Sequence, residues 1–437
     1  MKRTSFFMAL ACLIFLPWLA SGQHWTVAKC LEYAHKNNQS RQSRQKLILA
    51  ADWERKSVIG RLAPKIDVKA GIDHYWEIPV QVFPGELVGQ PAGTYVPIKL
   101  GTPWMGNIGI EANLNLVDPQ TWQAIRLSAL QQQAKKNELL SFEKTLSKNV
   151  RMSYYQLQAL NKGLSLAKDS YHNYQEIHQL ITRQYDKGFT DKIALNQSTS
   201  MMKELQNQLS RKNTEVHNAL LDLKFWMGFP LADSLLVNNS EDMEILPTSG
   251  FITEELPDYE SQKVKLSIAA QELKSAKAAW YPSLSLRSYY SKMGFGQSLD
   301  FIGQSRWIGS GFIGLQLTVP LFSLSKQFYD PGKQKARLES AELEFLDYLN
   351  SQQKHYLEEQ QLHLEAVQDL KTQEAQLKLA RENVALSYQK LEKGIINMIE
   401  LRQAQQDLNE ATEKLNKSNQ NLLQHAVELY YLTSQKL

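Results

Sequence analysis

Two kinds of hydrophobic pattern divide this chain. In the first, an apolar or aromatic position recurs every seven residues. Val150, Leu157, Leu164, Tyr171, His178 and Tyr185 form one such stripe, and beyond Gly188 it resumes at Leu195, Met202, Leu209, Val216 and Leu223. A second set runs Tyr356, His363, Leu370, Leu377, Val384 and Leu391, then past Gly394 through Leu401, Leu408, Leu415, Leu422 and Leu429. A sustained seven-residue period is that of helices packed side by side with a left-handed supercoil. It predicts helices from about Thr121 to Lys187, Lys192 to Met227, Lys333 to Lys393 and Met398 to Thr433, with no proline inside any of them. The longer two would extend about 100 Å at 1.5 Å per residue, far beyond an ordinary globular helix. Ala404, Ala411 and Ser418, three residues past successive stripe positions, are small enough to let helices approach closely.

The second pattern has period two. Ile66, Val68, Ala70 and Ile72 alternate with Asp67, Lys69, Gly71 and Asp73, while Ile108, Ile110, Ala112, Leu114 and Leu116 alternate with Asn107, Glu111, Asn113 and Asn115. Leu284 and Leu286 alternate with Ser283, Ser285 and Arg287, and Ile313, Leu315, Leu317, Val319 and Leu321 with Gly314, Gln316 and Thr318. These predict strands near 65–76, 107–116, 283–291 and 312–321. Segments of about ten residues with one aliphatic and one polar face carry the pattern of a transmembrane β-barrel. Trp76, Trp104, Trp280 and Trp307 flank them, as interfacial aromatics would. The intervening segments 77–103 and 292–306 are expected to be external loops, the first with five prolines. Four strands cannot close, and open edges are not tolerated in lipid. The chain is therefore expected to oligomerise: two copies supply eight strands, whose interior fills, and three supply twelve, which leaves more room for a lumen.

The helical stripes repeat at an offset of 206 residues: Tyr185, Asp186, Lys187 and Gly188 correspond to Leu391, Glu392, Lys393 and Gly394. The strand entries Leu62-Ala63-Pro64 and Trp280-Tyr281-Pro282 correspond at 218. An internal duplication follows. The expected organisation is a secretory signal at 1–22, a first repeat at 23–228 (helix, two strands, long hairpin with its tip at 188), a linker at 229–256, and a second repeat at 257–437 with its tip at 394.

Composition narrows the setting. Lys2 and Arg3, the apolar run Phe6 to Leu19 and the small residues Ala20, Ser21 and Gly22 read as a signal peptide, with the mature chain starting at Gln23. A lipid-modified Cys12 is disfavoured because Ala9, three residues before it, is not Leu. Removing Lys2 and Arg3 lowers the formal charge from +4 to +2, which gives no reason to expect a nucleic-acid partner. Cys30 is left without a second cysteine and is expected to be a small buried residue. His178 and His363 lie on the helical stripes and are expected to pack rather than bind metal. No nucleophile elbow, phosphate loop or spaced His/Cys cluster is present. Neither an enzyme nor a cofactor is expected.

In this order, and twice over, the motifs resemble the TolC-like outer-membrane efflux proteins. The resemblance rests on the two proline-marked strand entries, the Lys-Gly turns at Gly188 and Gly394, and Ile399-Glu400-Leu401-Arg402-Gln403-Ala404 after the second turn. Trp25-Thr26-Val27 with Cys30, Ala34, Asn37 and Asn38 is similar to the family's opening helix, and Phe225 to Pro230 to the end of its first repeat. It implies a mixed α/β membrane protein: a homotrimer with a twelve-stranded β-barrel in the lipid of the bacterial outer membrane and a coiled-coil α-barrel through the periplasm. Its partners would be a periplasmic adaptor and an inner-membrane pump. Lys187, Gly188, Phe189 and Thr190, with Lys393, Gly394, Ile395 and Ile396, would be the tips that dock the adaptor. Glu400 lies six residues past Gly394, about 9 Å along a helix, with no basic residue three or four positions away. It would give a ring of carboxylates at the periplasmic constriction. Ala194 stands at the matching place in the first repeat, where the family often has an acid, so the ring would hold three charges rather than six. The competing reading is a periplasmic coiled-coil scaffold or adaptor without a channel. Two alternating strand pairs with tryptophan flanks argue against it.

Overall fold

The structure is a computed structural model and describes residues 25–238, 251–256, 258–304 and 306–433. The expected signal peptide, its Cys12 and the start at Gln23 lie outside the described residues. In chain order the elements are α1 (Val27–Asn37), α2 (Gln39–Gly60), β1 (Lys65–His74), β2 (Val80–Pro84), β3 (Tyr95–Lys99), β4 (Trp104–Val117), α3 (Pro119–Asp186) and α4 (Lys192–Met227). There follow α5 (Tyr259–Lys277), β5 (Ser283–Gly296), α6 (Phe301–Gln304), β6 (Ile308–Thr318), α7 (Asp330–Glu392) and α8 (Met398–Thr433). The chain forms two compact units. Among the described residues, one comprises 25–45, 137–238, 251–256, 258–260 and 347–433; the other comprises 46–136, 261–304 and 306–346.

The first unit is helical. Every position of the four seven-residue stripes is buried or half-buried, as the period requires. Two centres of packing stand out. Around α1, Val27, Cys30 and Ala34 meet Leu146, Val150, Tyr154 and Leu157 of α3, Ala219, Leu223 and Met227 of α4, and Leu423 and Val427 of α8. Cys30 is fully buried there, as expected. The expected linker 229–256 is not wholly a tether. Leu235 and Val237 join this core, Val237 forms a parallel bridge with Trp25, and the Tyr154 hydroxyl donates to the Trp25 and Asn238 carbonyls at 3.1 and 3.3 Å. At the end of α4, Gly228 has φ 68° and accepts the Schellman-type closure, Phe229 N–H donating to Lys224 O at 2.8 Å. The buried Lys224 ammonium donates to the carbonyls of Leu231 and Asp233 at 3.1 and 2.6 Å, fixing the chain's exit from α4.

The second unit holds a four-stranded antiparallel sheet in the order β1-β4-β5-β6 and a two-stranded hairpin of β2 and β3. Pro64 and Pro282 immediately precede Lys65 and Ser283, where β1 and β5 begin, as expected for residues that cannot donate to a ladder. Asp118 caps α3: its Oδ1 accepts from Gln120 N and Thr121 N at 3.1 and 3.2 Å, with Pro119 at the first helical position.

Several strand boundaries differ from expectation, β6 for instance beginning at Ile308. β5 continues to Gly296 rather than 291 because Lys292–Gly296 pair with Trp104–Ile108, so β4 also begins earlier, at Trp104. The segment 292–306 is thus a loop only past Gly296. β6 stops at Thr318, before Pro320, which has no N–H to donate; Val319 and Leu321 are not strand residues. The segment 77–103 is not bare loop, since Val80–Pro84 pair with Tyr95–Lys99. The helix limits differ from the expected ones by no more than three residues.

Candidate functional site: an amphipathic sheet and two hairpin tips

Residues opposite each other in an antiparallel ladder share a face, so the register assigns the sheet's two surfaces. One face is aliphatic. Ile66, Val68 and Ile72 of β1 adjoin Ile108 and Ile110 of β4, then Leu284, Leu286 and Tyr290 of β5, and Ile313, Leu315 and Leu317 of β6. These side chains find no cover: Val68 is 69% exposed, Ile313 72% and Leu315 66%. Lys292 is the one charged residue on this face among the paired positions, near its loop end, where a long side chain can reach polar surroundings. The opposite face is polar. Lys69 bonds Glu111 at 2.5 Å, Lys65 meets Asp67 at 2.9 Å, and Arg287 donates to Gln316 at 2.7 Å. Its three cations, Lys65, Lys69 and Arg287, balance Asp67, Asp73 and Glu111. Neither edge strand, β1 or β6, has a second partner among the described residues.

Three of the four expected interfacial tryptophans lie at the loop end of this sheet. Trp104 opens β4 against His74, their rings 4.4 Å apart; Trp76 is 95% exposed just beyond β1; Trp307 immediately precedes β6. Trp280 is at the other end, its Nε1 donating to Gln327 O at 3.2 Å. There it is joined by Tyr281, Phe322 and Tyr329, all exposed, which the sequence pattern did not single out because they lie outside the alternating runs.

Within the helical unit, the two hairpins turn alike. Gly188 and Gly394 have φ 75° and 71°, a region open to glycine without steric cost. Gly188 N–H donates to Tyr185 O at 2.9 Å and Phe189 N–H to Gln184 O at 2.8 Å; Gly394 N–H donates to Leu391 O at 2.9 Å and Ile395 N–H to Lys390 O at 2.9 Å. Asp191 then caps α4 by accepting from Ala194 N at 2.8 Å. Asn397 caps α8 by accepting from Ile399 N and Glu400 N at 3.0 and 3.1 Å. Each partner lies 206 residues from its counterpart. Behind the turns, Tyr174, Ile177 and Ile181 of α3 pack with Met201 and Leu205 of α4 and Met398 and Leu401 of α8; Tyr388 and Leu391 of α7 pack against them. This cluster joins the two hairpins. Burial pushes the Tyr174 phenol up to about 12, so it stays neutral.

Beyond that cluster the expected tip residues divide. Lys187, Lys393, Phe189 and Ile395 are exposed, the last two by 80% and 66%, while Thr190 and Ile396 are half-buried. Ile193 and Ile399, which sequence reasoning missed, are exposed beside them. Together they form a small apolar end, signalled by an apolar residue five positions after each glycine. Glu400 is exposed in the first turn of α8 and makes no ion pair among the described residues, whereas Ala194 packs against the cluster.

Other chemistry is sparse. His178 Nδ1 and Ser198 Oγ are 2.8 Å apart between α3 and α4, a packing contact. No group of three or more His, Cys, Asp or Glu among the described residues could hold a metal ion. An open groove of about 520 Å³ between α3, α7 and α8, lined by Asp169, Glu176, Arg381 and Tyr388 among others, shows no catalytic arrangement. No described helix is long and apolar enough to cross a membrane.

The chain combines long paired helices with an amphipathic sheet whose two edge strands have no second partner among the described residues. The sequence model of the outer membrane efflux protein family matches residues 34–228 and 253–435. The chain belongs to that family. It is 25% identical over 204 residues to the cation efflux system protein CusC of Escherichia coli, covering 45% of this chain and 42% of the relative. It is 24% identical over 223 residues to the pyoverdine export outer membrane protein OpmQ of Pseudomonas aeruginosa, covering 50% and 46%. The chain thus matches these curated relatives over less than half their length. Its fold is similar to crystal structures of CusC (TM-score 0.76, 15% identity, 94% of this chain and 92% of that one). It is also similar to the Campylobacter jejuni CmeC outer membrane channel (TM-score 0.73, 17% identity, 93% and 85%).

Proposed function

We propose that this chain is one subunit of a passive export duct in the bacterial outer membrane. It works with an inner-membrane pump through a periplasmic adaptor and has no enzymatic activity of its own. The observation that carries the reading is the sheet: an uncovered aliphatic face, a charged opposite face, and two unpaired edges. Bare aliphatic surface of this extent is unfavourable against water and favourable against lipid. Pairing β6 of one copy with β1 of the next removes both edges, as any structure within lipid requires. Three copies give a twelve-stranded barrel with the charged face inward. Because that face is charge-balanced, the barrel discriminates little between ions, and selectivity falls to the helical tunnel.

Within that tunnel, three Glu400 side chains form a carboxylate ring near the periplasmic mouth, and rings of this kind favour cations. The apolar ends at Gly188 and Gly394 are the adaptor's docking points. The matched turns and caps support descent of both halves from one duplicated unit, with repeats at 23–228 and 257–437. Relatives are named for cation efflux, for toxin and drug export and for pyoverdine export, and the cargo of this chain follows its pump.

The test is to isolate the protein from outer-membrane fractions in detergent and reconstitute it in planar bilayers. Heat-modifiable trimers that conduct ions are expected. A soluble periplasmic monomer that never conducts would overturn the duct and favour the scaffold.

A further inference from the structure

His363 occupies a core stripe position of α7 whose counterpart in the first hairpin, 206 residues earlier, is Leu157, buried to 2%. An ionisable ring thus stands where packing asks for an aliphatic one. Its Nδ1 is buried and has no hydrogen-bond partner. Around it lies a mixed cluster. Glu359, one turn earlier on α7, bonds His425 of α8 at 2.8 Å, both side chains being largely buried. His355, two turns earlier, meets Glu428 of α8 at 3.3 Å, and Lys148 of α3 bonds the same carboxylate. Arg151 of α3 lies over the Tyr430 ring of α8 at 5.8 Å.

We propose that His363, set beside this histidine–carboxylate cluster, is a proton-sensitive lock between α7 and α8, closed while its own imidazole is neutral and loosened by acid. Lys148 and Arg151 offset Glu359 and Glu428, and His355 and His425 each lie against one of those carboxylates. A proton on His425 or His355 is met by the carboxylate that ring already bonds, whereas a proton on His363 adds a charge that faces none. His363 has no carboxylate of its own, because Glu359 is engaged by His425. Burial, then the neighbouring His425, hold the His363 imidazole below its ordinary value. A group that binds protons less readily folded than unfolded costs stability as the pH falls. The lock is therefore intact above about pH 6.5, the ordinary histidine value, and weakens as the pH drops from there toward the folded value. The inference stands on the helix pairing and does not depend on the export reading.

Hydrogen exchange of the full chain in detergent, at pH 7.5 and 5.5 and corrected for intrinsic rates, tests it. Amides of α7 around 355–366 are expected to exchange several-fold faster at the lower pH. His363→Leu, which restores the aliphatic position, should abolish that acceleration and raise the thermal midpoint at pH 5.5 more than at 7.5. His425→Gln keeps a donor for Glu359 and removes the charge facing His363; it should blunt the acceleration in the same way. Loss of the acid response in either correctly assembled variant supports the lock. No acid response in the unaltered protein, or an undiminished response in both variants, overturns it.

Discussion

Ile110→Lys is the substitution that most sharply separates a lipid-facing sheet from a solvated one. Ile110 lies in the middle of β4, six residues from Trp104 and seven from Val117, on the aliphatic face between Val68 and Tyr290. β4 has 14 residues, a contour of about 48 Å at 3.4 Å per residue and about 34 Å of depth at a 45° tilt. This exceeds the roughly 25 Å apolar band of such barrels and puts Ile110 near its midplane. A lysine there costs about 2–4 kcal/mol per chain, a roughly 30- to 1000-fold shift, and about 6–12 kcal/mol for three copies. In a sheet bathed by water the same change would fall within about 0.5 kcal/mol, since Ile110 is already half-exposed. Ser310→Lys is the control. It lies one rung away on the polar face, opposite Ser291 and separated by β4 and β5 from Lys69, and should fold nearly as well as the parent. The assay is urea-dependent refolding into lipid vesicles, read as heat-modifiable trimer. Equal yields for Ile110→Lys and Ser310→Lys would refute the orientation of the sheet.

Charged substitutions at the tips, Phe189→Asp with Ile395→Asp, should abolish export and adaptor cross-linking while leaving trimers intact; normal cross-linking would exclude docking there. Glu400→Gln should weaken cation preference and block by multivalent cations in single-channel recordings, and unchanged selectivity would remove Glu400 from the mouth. Cysteines at Gln90 and Gln297, both exposed beyond the loop end of the sheet, should label in intact cells; labelling only after the outer membrane is broken would invert the topology. Gly228→Ala should destabilise the helical unit strongly, because its φ is 68° and a Cβ would sit 2.8 Å from Asn37 O; a thermal midpoint within a degree of the parent's would contradict that.

What was legible in the sequence is what depends on local repetition. The seven-residue stripes predicted α3, α4, α7 and α8 within three residues because burial along a paired helix recurs at that spacing, and glycine at 188 and 394 marked the turns through its φ. What was not legible depends on a distant partner. Lys292 to Gly296 reverse the phase of the strand, Met293 and Phe295 falling on the face opposite Leu284 and Leu286, yet they extend β5 because Trp104 to Ile108 lie opposite them. Val80 and Val82 form too short a run, set among prolines, to announce a hairpin, and it exists through pairing with Lys99 and Pro97. Leu235 and Val237 look like linker until Trp25 comes alongside. At the tips the stripe rule implied burial for Leu195 and Leu401 but was silent on Ile193 and Ile399, whose exposure follows from the cap geometry of Asp191 and Asn397.

The features that carry function are the ones a single chain leaves incomplete. An isoleucine such as Ile313, uncovered on an edge strand that has no outer neighbour among the described residues, breaks two rules at once: it exposes apolar surface and borders an unpaired backbone. Pairing with another copy relieves the second conflict, and lipid relieves the first. Neither remedy alone suffices. A trimer in water would still expose the aliphatic band, and a monomer in lipid would still leave the edges of β1 and β6 unbonded. In the proposed duct, assembly and insertion are therefore coupled. A substitution that blocks edge pairing, such as Gly311→Pro on β6, should prevent membrane insertion as completely as Ile110→Lys does, although it changes no surface polarity.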